Sequence, residues 1–365
     1  MRITFVTPFI SHKGGIRVVA TYARKLTERG HEVFVVSTPQ RRPTLLPRLK
    51  RRLRGAAPLP SRAQARTRLL DFLGARQIEI DRVRPITDDD LPDADVVVAT
   101  WWETAEWVAG LSPRKGRKYY LIQDYEMFRP DTAHRVAATY RAPLRKIAVS
   151  GWIRDTIARE HGVRDIALLL NAVDTGHFNA PMRSKSGFLR AGFLYTPVTR
   201  KNVALAIAAL SRARKALPGL EAVAFGSALP VPTLPLPDWI MFYETPCQDE
   251  IPQIYAACDL WLFTSKHEGF GLPLLEAMAC RTPVLATRAG AAPDLVDGRN
   301  GLLRESDPDV FAETMAHFAR MPDAQWQTWS EAAWATAQAQ SWDSQTDVLE
   351  RLLRAPAEGA AERWT

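Results

Sequence analysis

His267-Glu268-Gly269-Phe270-Gly271-Leu272-Pro273-Leu274-Leu275-Glu276-Ala277-Met278-Ala279-Cys280, running on into Arg281-Thr282-Pro283-Val284-Leu285-Ala286, is the stretch whose reading decides the fold. It reads as a loop relieved by glycines, then a helix, then a buried strand. One glutamate sits on the loop and a second, eight residues later, sits on the helix. Pro273 suits a first helical position, where a missing N–H costs nothing. Gly269 and Gly271 let backbone amides approach an anion closely. Those amides and the positive end of the helix dipole make an anion site, with about 0.3–2 kcal/mol from the dipole alone. The layout suits the diphosphate of a nucleotide sugar.

Directly before this loop, Leu260-Trp261-Leu262-Phe263 is a continuous apolar run, read as a strand buried on both faces of a parallel sheet. Ligands of open α/β sheets bind beyond the carboxyl ends of the strands, so the glutamate loop lies on the competent edge. Upstream, Gly192-Phe193-Leu194-Tyr195 reads as a strand, and Val203, Ile207 and Leu210 mark a helix. Between them Thr199-Arg200-Lys201-Asn202 brings two cations to the same edge. Further strands are expected at Val223-Ala224-Phe225 and Ile240-Met241-Phe242-Tyr243, with Tyr243-Glu244-Thr245-Pro246 as the base-recognition loop.

The same pattern runs through the first half. Arg2 to Val6 is strand-like, and the loop Ser11-His12-Lys13-Gly14-Gly15 leads to a helix carrying Val18, Tyr22 and Leu26. That helix stops at Gly30, and Glu32-Val33-Phe34-Val35-Val36 is the next strand. Val96-Val97-Val98-Ala99, Tyr119-Tyr120-Leu121-Ile122 and Ile147-Ala148-Val149 continue the sheet. Two segments follow strands directly: Thr100-Trp101-Trp102-Glu103 and Gln123-Asp124-Tyr125-Glu126. Aromatic rims with carboxylates suit a sugar, whose apolar ring faces stack on aromatics while its hydroxyls bond to carboxylates.

At 365 residues, two domains are expected. The hydrophobic share of 46% and charged share of 24% describe a globular protein, and no apolar run approaches the roughly 20 residues that span a bilayer. The opening residues suit a first strand better than a signal peptide, so a cytoplasmic address is expected. Cys247, Cys258 and Cys280 have neither Cys-x-x-Cys spacing nor histidine partners and are expected to be buried thiols. The net charge of +8 is concentrated in Arg41-Arg42-Pro43-Thr44-Leu45-Leu46-Pro47-Arg48-Leu49-Lys50-Arg51-Arg52-Leu53-Arg54. This run reads either as a basic amphipathic patch for an anionic membrane, with peripheral attachment, or as a solvated loop. No nucleic-acid module accompanies it, so no nucleic-acid partner is expected. The first loop lacks Gly-x-Gly-x-x-Gly, which speaks against a dinucleotide oxidoreductase. Asp88-Asp89-Asp90 and Asp93-Ala94-Asp95 precede their strand and read as turns and caps, and Asp307-Pro308-Asp309 reads as a helix start. No catalytic metal is expected.

The donor loop resembles the signature of the retaining glycosyltransferase family 4, which has the GT-B fold. That resemblance implies an α/β chain of two Rossmann-like doubly wound parallel-sheet domains facing across a cleft. An acceptor domain would occupy residues 1–172 and a donor domain residues 173–342, with a last helix within 343–365 crossing back to the first. It implies that Glu268 lies beside the donor sugar and that Glu276 binds the ribose hydroxyls. Gly269, Phe270, Gly271 and Leu272 would line the donor, with Gly15, Tyr243 and Thr245. Lys201 matches the family's phosphate-loop lysine; Thr196 stands where the family has arginine, leaving Arg200 to substitute.

The segments around Trp102 and Asp124, with Val149-Ser150-Gly151-Trp152-Ile153, resemble bacterial rhamnosyltransferases of S-layer and O-antigen rhamnan synthesis that use dTDP-rhamnose. This resemblance implies a retaining, metal-independent transfer of L-rhamnose to a saccharide or lipid-linked glycan, with no cofactor beyond the donor substrate. UDP- and GDP-linked sugars remain open as donors. Trp101, Trp102, Glu103, Asp124, Tyr125 and Glu126 would hold the acceptor, and Asp124, Glu268 and Lys201 would carry the chemistry. Many family members have a histidine where this chain has Gln123-Asp124.

Overall fold

The structure is a computed structural model and describes residues 1–11, 14–40 and 68–355. The basic run 41–54 lies outside the described residues. The chain forms two compact units. One comprises Met1–Ala148, Ile157–Ala167 and Val348–Thr365; the other comprises Val149–Thr156 and Leu168–Asp347.

Unit one holds seven strands: β1 Arg2–Thr7, β2 Glu32–Ser37, β3 Gln77–Glu79, β4 Val96–Ala99, β5 Arg117–Ile122, β6 Arg145–Ala148 and β7 Ile166–Leu168. They lie in the order β3-β2-β1-β4-β5-β6-β7. β1 pairs in parallel with both β2 and β4, Ile3 facing Val33 on one side and Val96 on the other. Every residue of β4 is buried, as a strand covered on both faces requires. Strand order reverses between β1 and β4, so the loops after these two strands flank a topological switch point.

The helix Gly14–Glu28 turns Ile16, Val19, Tyr22 and Leu26 inward. It ends at Gly30, whose φ of 83° is the left-handed region that favours glycine. The His31 amide then donates to the Leu26 carbonyl at 3.0 Å. The helix already begins at Gly14, so Gly14 and Gly15 form its first turn rather than a preceding loop.

Unit two holds six strands: β8 Arg190–Leu194, β9 Glu221–Gly226, β10 Ile240–Glu244, β11 Leu260–Phe263, β12 Val284–Ala286 and β13 Gly301–Leu303. Their order is β10-β9-β8-β11-β12-β13. β8 pairs in parallel with β9 and with β11, which puts this unit's switch point between β8 and β11. Its core gathers Phe193, Tyr195, Leu262, Phe311, Phe318 and Trp326.

The last helix, Trp342–Arg354, passes from unit two into unit one at Val348. Its far half is fixed on unit one. The Tyr119 hydroxyl donates to the Leu352 carbonyl at 2.9 Å, and Arg117 donates to the Leu353 carbonyl at 2.7 Å. Glu350 accepts from Arg29 at 2.6 Å and lies 2.5 Å from His31 Nε2. Burial opposes the charge on Glu350, but the hydrogen bonds from His31 and Arg29 outweigh it and hold the carboxyl at about 2.

Further features differ from the sequence expectation. The units divide at residues 167 and 168, and the segment 149–156 belongs to unit two. Cys247 is exposed, because it sits in the turn after edge strand β10; Cys258 and Cys280 are buried. The strands β3 and β7 and the helix Asp323–Ala339 add to the elements read from the sequence. Asp307 does cap its helix, accepting from the Asp309 amide at 2.8 Å and the Val310 amide at 3.1 Å. The aspartates before β4 serve structure. Asp90 pairs with Arg84 at 2.6 Å, Asp93 with Arg114 at 2.7 Å and Lys115 at 2.9 Å, and Asp95 accepts from the Arg2 amide at 2.7 Å.

Candidate active site

The switch point of unit two brings its two adjacent loops together. After β8 the chain makes a single 3-10 turn, Thr199–Lys201, and leaves it through Asn202, whose φ of 50° is left-handed. After β11 it runs through Thr264, Ser265 and Lys266 to Glu268. The Lys266 amide donates to the Arg200 carbonyl at 2.8 Å, and the Thr264 hydroxyl donates to the Lys201 carbonyl at 3.2 Å. The loops are thereby stitched side by side. Lys201 Nζ pairs with Glu268 Oε1, and the Ser265 hydroxyl donates to the same oxygen at 2.8 Å. Glu268 is only 5% exposed, and these two partners satisfy its buried oxygen.

Behind Glu268 the backbone is as the glycines dictate. Gly271 has a φ of 96° and caps the helix Leu272–Ala279, with Pro273 as the second helical residue rather than the first. A residue that the sequence reading missed, Gly290, holds this loop from the other side. Its φ is 57°, and a Cβ there would lie 2.4 Å from the Phe270 carbonyl oxygen and 2.8 Å from Glu268 Cβ. The next amide, of Ala291, donates to the Phe270 carbonyl at 2.8 Å, and the Thr287 hydroxyl donates to the Ser265 carbonyl at 2.5 Å. The only sequence signal for Gly290 is its place just beyond β12.

Two further supports come from segment 149–156. The Ser150 hydroxyl donates to the Gly269 carbonyl at 2.7 Å, and the Gly151 amide donates to Asp294 at 2.9 Å. Burial lifts the Asp294 carboxyl above the usual carboxylate range, against the Gly151 amide and Arg154, which favour its charge. Glu276 lies on the helix one turn beyond Leu272, half-buried, and accepts from the Tyr255 hydroxyl at 2.8 Å.

Tyr243 and Thr245 are placed differently. β10 is an edge strand, and Tyr243 projects from it, 41% exposed, into an open cavity of about 570 Å³. That cavity also touches Arg190 and Glu221, the first residues of β8 and β9, at the sheet edge opposite Lys201. Thr245 has a φ of 48° and donates its amide to the Gly226 carbonyl at 2.7 Å, which aligns the turn after β10 with the end of β9.

In unit one the aromatic segments divide into rim and strut. Trp101 precedes the helix Trp102–Gly110 and stacks on Phe128, with centroids 6.3 Å apart and planes 18° apart; Phe128 is 49% exposed. Trp102 points inward instead and is buried, with Arg135 above its ring at 4.8 Å. Glu126, expected on the acceptor rim, is buried as well. It accepts from the Trp102 amide at 2.7 Å and the Tyr120 hydroxyl at 2.9 Å, so it braces the two segments together. Burial lifts its carboxyl well above the usual range despite these bonds, which favours the protonated form. Glu103, Asp124 and Tyr125 are half-buried. Asp124 accepts from the Tyr125 amide at 2.9 Å, and the Tyr125 hydroxyl bonds Glu160 and lies 3.0 Å from His161. Gly15 faces the amide of Gln123, where a Cβ would meet Oε1 at 3.2 Å.

Known proteins supply the context for this geometry. A model described as Glycosyltransferase Family 4 matches residues 13–177, and one described as Glycosyl transferases group 1 matches residues 186–320. Together they take in most of the chain. Both halves match models of family 4-type glycosyltransferases.

Among solved structures, Anabaena Alr3699/HepE in complex with UDP and glucose aligns over 98% of this chain and 100% of its own, with a TM-score of 0.67 and 17% identity. Sucrose-phosphate synthase from Thermosynechococcus elongatus aligns over 97% and 98%, with a TM-score of 0.70 and 15% identity. These likenesses establish the GT-B fold. In sequence, the chain is 35% identical to the O-antigen chain mannosyltransferase B of Escherichia coli over 30% of this chain and 28% of that protein. It is also 35% identical to a D-inositol 3-phosphate glycosyltransferase of Corynebacterium urealyticum, over 34% of this chain and 30% of the relative. The chain thus spans under a third of either relative's length. Among the described residues, no helix is long and apolar enough to cross a membrane.

Proposed function

We propose that this protein transfers a sugar from a nucleoside diphosphate sugar to a saccharide or lipid-linked glycan. The observation that carries this reading is the Lys201–Glu268 pair at the switch point of unit two, beside the capped start of the helix that bears Glu276. The departing diphosphate gains charge as the glycosidic bond breaks. Lys201, Arg200 and the first amides of the helix Leu272–Ala279 are fixed dipoles and charges that meet it without reorganisation. Glu268 orients the sugar hydroxyls and Glu276 takes the ribose, a positioning role for each. With the charge met in this way, transfer proceeds without a catalytic metal, and no further cofactor joins the donor.

Retention of the anomeric configuration follows from the family resemblance: a front-side displacement in which the leaving phosphate oxygen takes the acceptor's proton. Asp124, on the loop after β5, is the carboxylate assigned to the acceptor hydroxyl. The donor we favour is dTDP-rhamnose, on the resemblance of the segments around Trp102 and Asp124. Mannosyl and inositol-phosphate chemistry in the names of relatives makes GDP- and UDP-linked sugars the alternatives to test.

Thermal shift against dTDP-rhamnose, UDP-glucose and GDP-mannose checks this reading, because a donor stabilises the fold that binds it by mass action. A rise in Tm with one of them, with sugar transfer to a glycan acceptor in the same preparation, is the expected result. No shift with any of the three, and no nucleoside diphosphate released, would overturn it.

A further inference from the structure

Glu276 does not hold its place unaided. Its carboxylate is met by Tyr255, on the helix Ile251–Ala256, whose hydroxyl donates to Oε2 at 2.8 Å. The Tyr255 ring is fully buried and clamped on several sides. Trp261 packs edge-on at 4.5 Å between centroids, Phe225 at 5.6 Å and Phe178 at 6.1 Å. Its backbone is held too, since the Tyr255 carbonyl accepts from the Thr282 hydroxyl at 2.7 Å and from the Cys258 amide at 3.0 Å. Burial raises the Tyr255 phenol well above its ordinary value, with the nearby Glu276 charge adding to it, so the group stays protonated and can only donate toward that carboxylate.

A buried ring of this size has no need of a hydroxyl for packing; phenylalanine would fill the same space. The hydroxyl instead finds the one carboxylate that the proposed donor site needs for the ribose. A glutamate side chain has three rotatable bonds, and a partly exposed one samples several rotamers. A rigid donor on one oxygen restricts that sampling before ligand arrives, and preorganisation of this kind raises affinity. We propose that Tyr255 is a positioning residue that sets the Glu276 carboxylate for the nucleotide ribose. The inference rests on the donor-site reading above and adds a residue to it.

The test is a double-mutant cycle on the full chain, with UDP and dTDP each titrated by calorimetry into wild type, Y255F, E276A and the double variant. Y255F is expected to weaken nucleotide binding by about ten-fold, the scale of one hydrogen bond to a charged group. In the E276A background the same change is expected to have no further effect, because Tyr255 acts only through Glu276. A merely structural tyrosine would lower Tm and weaken binding by the same factor in both backgrounds, and that outcome would overturn the inference while leaving the donor site intact. If wild type bound neither nucleotide, the donor-site reading itself would fall, and this inference with it. E276A leaves the buried ring untouched, so the Tyr255 hydroxyl can also be followed by its effect on unfolding: a fall in Tm on Y255F that persists in the E276A background contradicts the proposal.

Discussion

The loop after β11 and the loops after β4 and β5 all follow apolar strands directly but were read from different signals, glycines, a proline and two spaced glutamates in the first and aromatics with carboxylates in the others, and they fold in opposite ways. In unit two, Lys201, Glu268, Gly271 and Glu276 stand on or beside one loop-helix turn. In unit one, two of the six expected rim residues have turned inward: Trp102 and Glu126 are buried against each other's segments, while Trp101 stacks outward with Phe128. The difference lies in what fixes the backbone. Glycines and a proline specify dihedral angles, which are local and legible. An aromatic beside a carboxylate specifies only chemistry, and which side chain faces solvent is settled by partners elsewhere in the chain, here Tyr120, Tyr140 and Arg135.

The sharpest way to break this contrast is at Gly290. Its left-handed φ and the 2.4 Å approach to the Phe270 carbonyl leave no room for a side chain. Gly290→Val is expected to abolish sugar transfer and to lower Tm by several degrees, on the order of 1–3 kcal/mol of strain. An active, equally stable variant would show that the donor loop does not depend on its backbone.

Lys201→Ala comes next. Removing a preorganised cation from a leaving group costs about 10²–10³ in turnover, and here it also strips buried Glu268 of its counter-charge. Steady-state kinetics should show the loss mainly in kcat. A change confined to KM would make Lys201 a binding residue only.

Much of the fold was legible because buried parallel strands are continuous apolar runs. Val96 to Ala99 and Leu260 to Phe263 were read with the bounds they have. The strands β3 and β7 are three residues long, too short to carry any period, and exist because a neighbouring strand offers its edge. The placement of Glu268 on the loop and Glu276 on the helix was legible from spacing alone. Gly290 and Tyr255 were not, since the need for each is created by a residue some 20 positions away, Phe270 for one and Glu276 for the other.

The smallest expected effect tests the strut of unit one. The Glu126 carboxyl is raised in the folded state, so folding favours its protonated form. That contribution is complete below the unfolded value of 4.5 and is lost as pH rises through the folded value. Glu126→Gln removes the titration and keeps the shape. The wild type is therefore expected to lose Tm relative to the variant as pH is raised from acid toward 8, with donor binding unchanged. Parallel Tm profiles would place Glu126 in contact with water after all. Glu350 gives the opposite slope: its stabilisation is present above 4.5 and is lost as pH falls toward about 2.

The most direct measurement is the structure of this protein with a nucleotide sugar bound. The diphosphate is expected at the start of the helix Leu272–Ala279, within hydrogen-bonding reach of Lys201, with the ribose on Glu276 and the sugar beside Glu268. A donor bound elsewhere, with Lys201 and Glu268 still paired and the helix start untouched, would contradict the account.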